Sequence, residues 1–262
     1  MTETQLGELA KALPSVAREA GNRIMEVYNR PGQIASDATA DKSPLTEADR
    51  AAHEYISEEL ARLAPDIPLL SEEGAHLPYE IRQTWGYHWL VDPLDGTKEF
   101  LKRNGEFTVN IALIDPEGVP VVGCVYAPAL DRMYLAWQGG GAFRIAEGVH
   151  QPIHCSIADH SQPGLRLVCS RSHMTPEVEE FVNQFKDPEL VSLGSSLKLV
   201  MIAEGQADIY PRLAPTMEWD TAAAHAIVTQ AGGRVYDYLS TLELRYNKQD
   251  LLNPWFVVEG RS

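Results

Sequence analysis

Positive charge is scarce in this sequence: 22 Lys and Arg stand against 37 Asp and Glu, a formal net charge of −15. A nucleic-acid binder normally carries a basic face, so this balance argues against nucleic acid as a partner, though it leaves room for one local basic pocket. Acidity of this kind serves solubility, with a part available to bound cations. Cysteine is nearly absent as well. Cys124, Cys155 and Cys169 are odd in number, irregularly spaced and without a CxxC pair, which argues against a disulfide framework or a thiolate zinc site. Their apolar neighbours mark them as buried thiols. No run approaches the ~18 apolar residues of a membrane span. The acidic first eight residues lack the apolar centre of a signal peptide, and the expected compartment is the cytoplasm. Internal repeats and low-complexity segments are missing too.

What is present is a globular composition, 44% hydrophobic and 23% charged over 262 residues. That length suits one large domain or two small ones, and its core needs neither disulfide nor structural metal. Leu6, Leu9, Leu13, Val16, Ala20, Ile24 and Val27 recur at three- and four-residue steps, which predicts an amphipathic helix over 5–28, kinked or broken near Pro14. Gly32 to Lys42 is polar and expected to be mobile. A second helix is expected from Thr46 to Leu63, ended by Pro65 and Pro68. Short apolar segments over 69–70, 88–91, 107–114, 119–127, 132–137 and 142–145 predict strands joined as antiparallel hairpins. Beyond residue 150 strands over 165–170, 191–193, 207–210 and 254–258 alternate with helices starting at Thr175, Ser195 and Trp219. The reading is α/β: an α+β half over 1–150 and an α/β half over 151–262, with ligands expected between them.

The stretch Trp89-Leu90-Val91-Asp92-Pro93-Leu94-Asp95-Gly96-Thr97 carries the most chemistry. An apolar strand delivers Asp92 at its end, Pro93 fixes the backbone, and Gly96 permits a sharp turn. Two carboxylates three residues apart on such a turn can face one point, where they repel unless a cation lies between them. Magnesium prefers hard oxygen ligands of this kind, a backbone carbonyl such as that of Leu94 included. An Asp-rich turn with side-chain-to-backbone hydrogen bonds explains the local pattern equally well. Further acidic sites are Glu72 and Glu73 after a short strand, Asp49 in Thr46-Glu47-Ala48-Asp49, and Asp220 at a helix start after Glu218-Trp219. Each also has a plain alternative: a solvated turn, a capping box, a helix N-terminal charge.

Taken together, Ser43-Pro44-Leu45-Thr46-Glu47-Ala48-Asp49, Ser71-Glu72-Glu73-Gly74, Asp92-Pro93-Leu94-Asp95-Gly96-Thr97 and Trp219-Asp220-Thr221-Ala222-Ala223 resemble the inositol monophosphatase superfamily, in its order and across nearly the whole chain. Lys98-Glu99-Phe100, Ser170-Arg171-Ser172-His173, Gly194-Ser195-Ser196-Leu197-Lys198 and Tyr210-Pro211-Arg212 are similar to its branch of bacterial 3'(2'),5'-bisphosphate nucleotidases. The resemblance implies a layered α-β-α-β-α fold and magnesium dependence with two or three ions. It also implies lithium sensitivity and a phosphorylated nucleotide substrate such as adenosine 3',5'-bisphosphate, hydrolysed to AMP and phosphate. Membrane association at the cytoplasmic face is known among such relatives, but no basic amphipathic helix here supports it.

The same resemblance implies roles. Glu72, Asp92 and the Leu94 carbonyl would hold one ion, and Asp92, Asp95 and Asp220 the other. Thr97 and Asp49 would orient and deprotonate the attacking water, with Glu72 part of the catalytic set. The amides of Gly96 and Thr97 would bind phosphate, beside substrate contacts from Glu72, Leu94, Asp95 and Asp220. His173, Ser195, Lys198 and Arg212 are candidates for a second phosphate, Ser195 and Lys198 because three-residue spacing puts them on one helix face. Arg171 is a weaker candidate. Trp137, Trp255 and Phe256 are expected in the core, and His53 and His225 in packing or at the surface. Other readings are an inositol or sugar monophosphatase with no second-phosphate site, and an inactive homologue that binds phosphorylated ligands.

Overall fold

The computed structural model describes residues 1–31, 43–75, 77–169 and 174–261. In chain order the elements are α1 (Glu3–Tyr28), α2 (Pro44–Leu63), β1 (Leu69–Ser71), α3 (Tyr79–Arg82), β2 (His88–Asp95), α4 (Thr97–Lys102), β3 (Thr108–Ile114), β4 (Pro120–Ala127), β5 (Arg132–Trp137), β6 (Gly141–Ala146) and β7 (Val149–Pro152). There follow β8 (Arg166–Val168), α5 (Pro176–Val182), β9 (Glu189–Val191), α6 (Leu197–Ala203), β10 (Ile209–Arg212), α7 (Glu218–Gln230), β11 (Arg234–Asp237) and β12 (Phe256–Glu259). The strands form a seven-stranded sheet in the order β1 to β7 and a five-stranded sheet in the order β11-β12-β10-β8-β9.

Helices α1 and α2 cover one face of the larger sheet, and their apolar stripe meets Trp89, Val91, Ile111 and Leu135. The opposite face packs on α7 and α6, which in turn back onto the smaller sheet, so Leu90, Ala112 and Val125 share a core with Ala223, Ile227 and Val258. Helix α5 closes the far side through Phe181 and Val182, against Leu167 and Ile209. The expected α-β-α-β-α layering is therefore present, with a core running across both halves of the chain.

Local chemistry explains most boundaries. Thr2 and Gln5 form a capping box at the start of α1: the Gln5 amide donates to the Thr2 hydroxyl, and the Thr2 amide donates to the Gln5 side chain. The expected break at Pro14 does not occur. The helix continues through it and forgoes one backbone hydrogen bond. Helix α2 starts two residues earlier than expected because Ser43, not Thr46, is its cap, accepting from the Thr46 amide at 3.2 Å. Strands β7 and β11 and helices α3 and α4 were not expected; all are short. All three cysteines are buried thiols. Trp255 departs from the core expectation, standing 40% exposed just before β12, while Phe256 is buried.

His88 opens β2 at 1% exposure, and among the described residues neither ring nitrogen has a well-formed hydrogen bond. Burial pulls its pKa down to about 4, the Gly86 backbone opposing slightly. The unfolded chain then binds one more proton between pH ~6.5 and ~4, so stability present above pH ~6.5 is lost as pH falls through that window. Replacing His88 with Leu should remove about 3 kcal/mol from this acid-side loss. Melting curves of both proteins from pH 4 to 7 check it: parallel curves would show that the ring does not titrate in this way.

Candidate active site

The larger sheet sets up the site at one end of β2. Residues three apart on a regular strand point to opposite faces, which would separate Asp92 from Asp95. Here Asp92 pairs with Asn110 and Asp95 with Thr108, so three steps on β2 oppose two on β3. That bulge restores the alternation and turns both carboxylates toward the same cleft. Strand β1 runs parallel to β2 with Ser71 opposite Val91, and the Glu72 amide donates to the Val91 carbonyl at 3.1 Å. Glu72 is thereby carried to the level of Asp92. Asp220 arrives from the other side, in the first turn of α7, with Oδ2 accepting from the Met217 amide at 2.9 Å.

Glu72, Asp92, Leu94, Asp95, Gly96, Thr97 and Asp220 line one cleft of about 380 Å³, together with Ser195, Lys198 and Arg212. Asp49 does not line it. It sits behind, on α2, bonded to Glu73. His173 and Arg171, like Gly32 to Lys42, lie outside the described residues.

The electrostatics are those of crowded anions. Burial first, then Asp95, Glu72, Asp220 and Asp49, push Asp92 well above the usual carboxylate range. Asp220 is pushed up to about 7 by burial and then by Asp95 and Glu72. Asp49 is pushed up to about 8 by burial, Glu73 and Glu72. Burial also raises Asp95, opposed by the Lys198 ammonium and the Ser196 amide. Among the described residues no three His, Cys, Asp or Glu side chains are already closed into a ligand set. Mutually repelling oxygens around one cleft fit a hard divalent cation, which would relieve their repulsion.

Asp95 is also gripped from the second half of the chain. Its Oδ2 accepts from the Ser196 amide at 2.6 Å. The Ser196 hydroxyl lies 2.9 Å from Thr108 Oγ1 and donates to Asn110 Oδ1 at 2.8 Å. Sequence reasoning missed Thr108 and Asn110. The signal was two polar residues at strand spacing inside the otherwise apolar Thr108–Ile114.

Ser195 differs from its expected place. It precedes α6 at φ +49°, so it shares no helix face with Lys198. Its hydroxyl lies within donating distance of the Asp95 and Glu106 carbonyls, at 2.9 and 2.7 Å. This tight crossing needs glycine at position 96, where φ is +103° and a Cβ would fall 2.1 Å from Ser195 Oγ. Gly96→Ala should cost about 1–3 kcal/mol of stability and about tenfold in activity, one decade being 1.36 kcal/mol. A variant with wild-type melting temperature and turnover would show that the crossing is not needed.

A second cavity of about 240 Å³ abuts the first and shares Glu99, Lys198, Tyr210 and Arg212 with it. Val178, Leu193 and Leu213 line it beside polar and charged side chains that include Lys102, Asn104 and Glu106, and it was not legible in the sequence. Burial lowers the Lys198 ammonium below the usual lysine range, opposed chiefly by Asp95. Arg212 donates to the Pro215 carbonyl at 3.0 Å, and its Nε is shielded from solvent without a hydrogen-bond partner among the described residues. Two cations thus stand where an acidic cleft meets a half-apolar pocket. His53 bonds Ser71 Oγ at 2.9 Å, and His225 is buried against Tyr246 and Glu243; both are packing residues.

Comparison with known proteins gives a consistent result. The inositol monophosphatase family model matches residues 5–259. The chain is 49% identical over 244 residues to 3'(2'),5'-bisphosphate nucleotidase CysQ of Shigella flexneri, covering 93% of this chain and 96% of that one. Among solved structures, CysQ from Bacteroides thetaiotaomicron, described as a bacterial member of the inositol monophosphatase family, matches with a TM-score of 0.87, 46% identity and 97% of each chain. Inositol monophosphatase II of Staphylococcus aureus matches in fold, with a TM-score of 0.76 at 24% identity over 95% of this chain and 90% of that one.

Proposed function

The chain belongs to the inositol monophosphatase family, and from that membership we propose that it is a magnesium-dependent 3'(2'),5'-bisphosphate nucleotidase. Its substrate would be adenosine 3',5'-bisphosphate, which water converts to AMP and inorganic phosphate. The observation that carries this reading is the pair of adjoining cavities, one acidic and one half-apolar, with Lys198 and Arg212 at their junction. A monophosphorylated inositol needs only the first. A nucleoside bisphosphate uses both, its scissile phosphate over the carboxylates and its second phosphate on the two cations. No described helix is long and apolar enough to cross a membrane.

Glu72, Asp92 and the Leu94 carbonyl would hold one magnesium ion, and Asp92, Asp95 and Asp220 a second. Bound there, magnesium neutralises phosphoryl charge and makes water nucleophilic at neutral pH. The protein's own part is to align and deprotonate. Thr97 opens α4 beside Asp95 and would orient the water, while Asp49 would receive its proton through Thr97 once bound cations offset the burial and the repulsion from Glu73 and Glu72 that otherwise keep it protonated. The Gly96 and Thr97 amides would hold the scissile phosphate, and Tyr210 with Leu193 would flank the nucleoside.

Magnesium-dependent phosphate release, measured on adenosine 3',5'-bisphosphate, AMP, inositol 1-phosphate and a sugar bisphosphate with a lithium control, tests the proposal. Preference for the nucleoside bisphosphate is the expected result. Equal turnover of inositol 1-phosphate removes the nucleotide assignment, and silence on every compound removes the enzyme.

A further inference from the structure

Glu218 is fully buried, 0% exposed, at the first position of α7, two residues before Asp220. Two residues on a helix are about 200° apart around its axis, so Glu218 faces away from the cleft that Asp220 lines. Its carboxylate is wholly engaged on that back side. Oε2 accepts from the Asn247 amide at 2.6 Å, and Oε1 accepts from the Lys248 amide at 3.0 Å and from the Lys248 ammonium. The loop that supplies these donors is itself clamped. Arg82, 3% exposed, donates to Asn247 Oδ1 at 2.7 Å and to the Lys248 carbonyl at 3.2 Å, and the Asn247 side chain donates back to the Arg82 carbonyl at 2.8 Å. Asn247 holds φ at +64° to present its amide.

We propose that Glu218 is a positioning residue for Asp220, pinning the back of the first turn of α7 to the 247–248 loop so that the Asp220 carboxylate stands at a fixed point of the cleft. The inference rests on the metal-dependent reading above and extends it to a residue outside the cleft. A carboxylate this deep is costly to desolvate, and an apolar side chain of similar volume would serve packing as well. What an apolar side chain cannot do is accept three directed hydrogen bonds, which fix the rotation of the turn as well as its depth. Removing a partner that orients a metal ligand typically costs 10–100-fold in metal affinity.

The test compares Glu218→Ala and Glu218→Gln with Asp208→Asn, which breaks an ion pair with Arg166 on the smaller sheet and bonds neither the first turn of α7 nor the 247–248 loop. The readouts are the magnesium concentration that half-saturates the rise in melting temperature, and the one that half-saturates phosphate release. Glu218→Ala should raise both midpoints about tenfold, with Asp208→Asn at the wild-type value despite its own loss of stability. Glu218→Gln, which keeps an oxygen for the Asn247 amide, should recover most of the shift. If Glu218→Ala does not fold, Glu218→Gln and Lys248→Met should each show a smaller rise. Wild-type midpoints in all Glu218 and Lys248 variants overturn the inference while the enzyme reading stands. A wild-type protein that ignores magnesium in both readouts overturns the two together.

Discussion

Asp92→Asn is expected to cut magnesium-dependent phosphate release by about 10³-fold and, in the same protein, to raise the melting temperature of the metal-free form. The loss follows from the position of Asp92 between Glu72 on one side and Asp95 and Asp220 on the other. Metal neutralisation contributes several kcal/mol to such a transition state, and each 1.36 kcal/mol is tenfold in rate. The gain follows from the same crowding. Asp92 is 1% exposed, and burial first, then four neighbouring carboxylates, hold its pKa well above the usual range. An amide there cannot take up the charge that the buried carboxyl gains as pH rises, and it keeps an oxygen for the Leu94 amide, which donates to Asp92 Oδ1 at 3.0 Å. A gain of about 1 kcal/mol would appear as roughly 2–4 °C.

The pH dependence carries a definite sign. Asp220 and Asp49, at about 7 and about 8, are raised above their unfolded values near 4. Such groups favour the folded state most in acid, and that contribution is lost as pH rises through the folded values. The metal-free wild type should therefore lose stability from pH ~4 to ~8, magnesium should restore it, and Asp92→Asn should lose less over the same window. Melts with a chelator across pH 5 to 9 decide it. A variant less stable than wild type, with an unchanged slope, would mean that the Asp92 carboxylate is held by favourable contacts and is not strained by repulsion.

How far the sequence reveals this site depends on the range of the interaction concerned. Glu72, Asp92, Asp95 and Asp220 were legible because strand ends and helix starts are local features, and their motifs are long. Why Asp92 and Asp95 face together was not legible, because the bulge is a property of the pairing with Asn110 and Thr108. Ser195 and Lys198 were assigned to one helix face by spacing alone. The left-handed residue at 195 ends that face, and its hydroxyl reaches carbonyls about a hundred positions earlier. The switch between hairpin and strand–helix rhythm near residue 150 pointed to an α+β and an α/β half, whereas the layering was implied only by the family resemblance. The shared core was not legible, because α7 belongs by sequence to the second half and by packing to the first sheet. Glu218 shows the same limit: the partners that explain its burial are about thirty residues further on, in a loop with no motif of its own.

Lys198→Ala should separate the two phosphates of the substrate, lowering kcat/KM on adenosine 3',5'-bisphosphate by about 10²-fold and on inositol 1-phosphate by less than about tenfold. Truncating one partner of a buried charge pair costs about 2–5 kcal/mol, and a loss near 3 kcal/mol is two decades. Lys198 has two roles, however, and only one depends on the second phosphate. Its ammonium also lies close enough to Asp95 to oppose the rise that burial imposes on that carboxylate's pKa, and losing this neighbour disturbs the cation site for every substrate. The common part appears in both reactions and in the magnesium midpoint, so the ratio of the two losses isolates the second phosphate. Arg212→Ala should shift the same ratio in the same direction, since Arg212 lines both cavities and its Nε has no partner among the described residues. A ratio near one for both variants would mean that the two cations serve the carboxylates alone. The nucleotide assignment would then lose its physical basis, although the hydrolytic one would not.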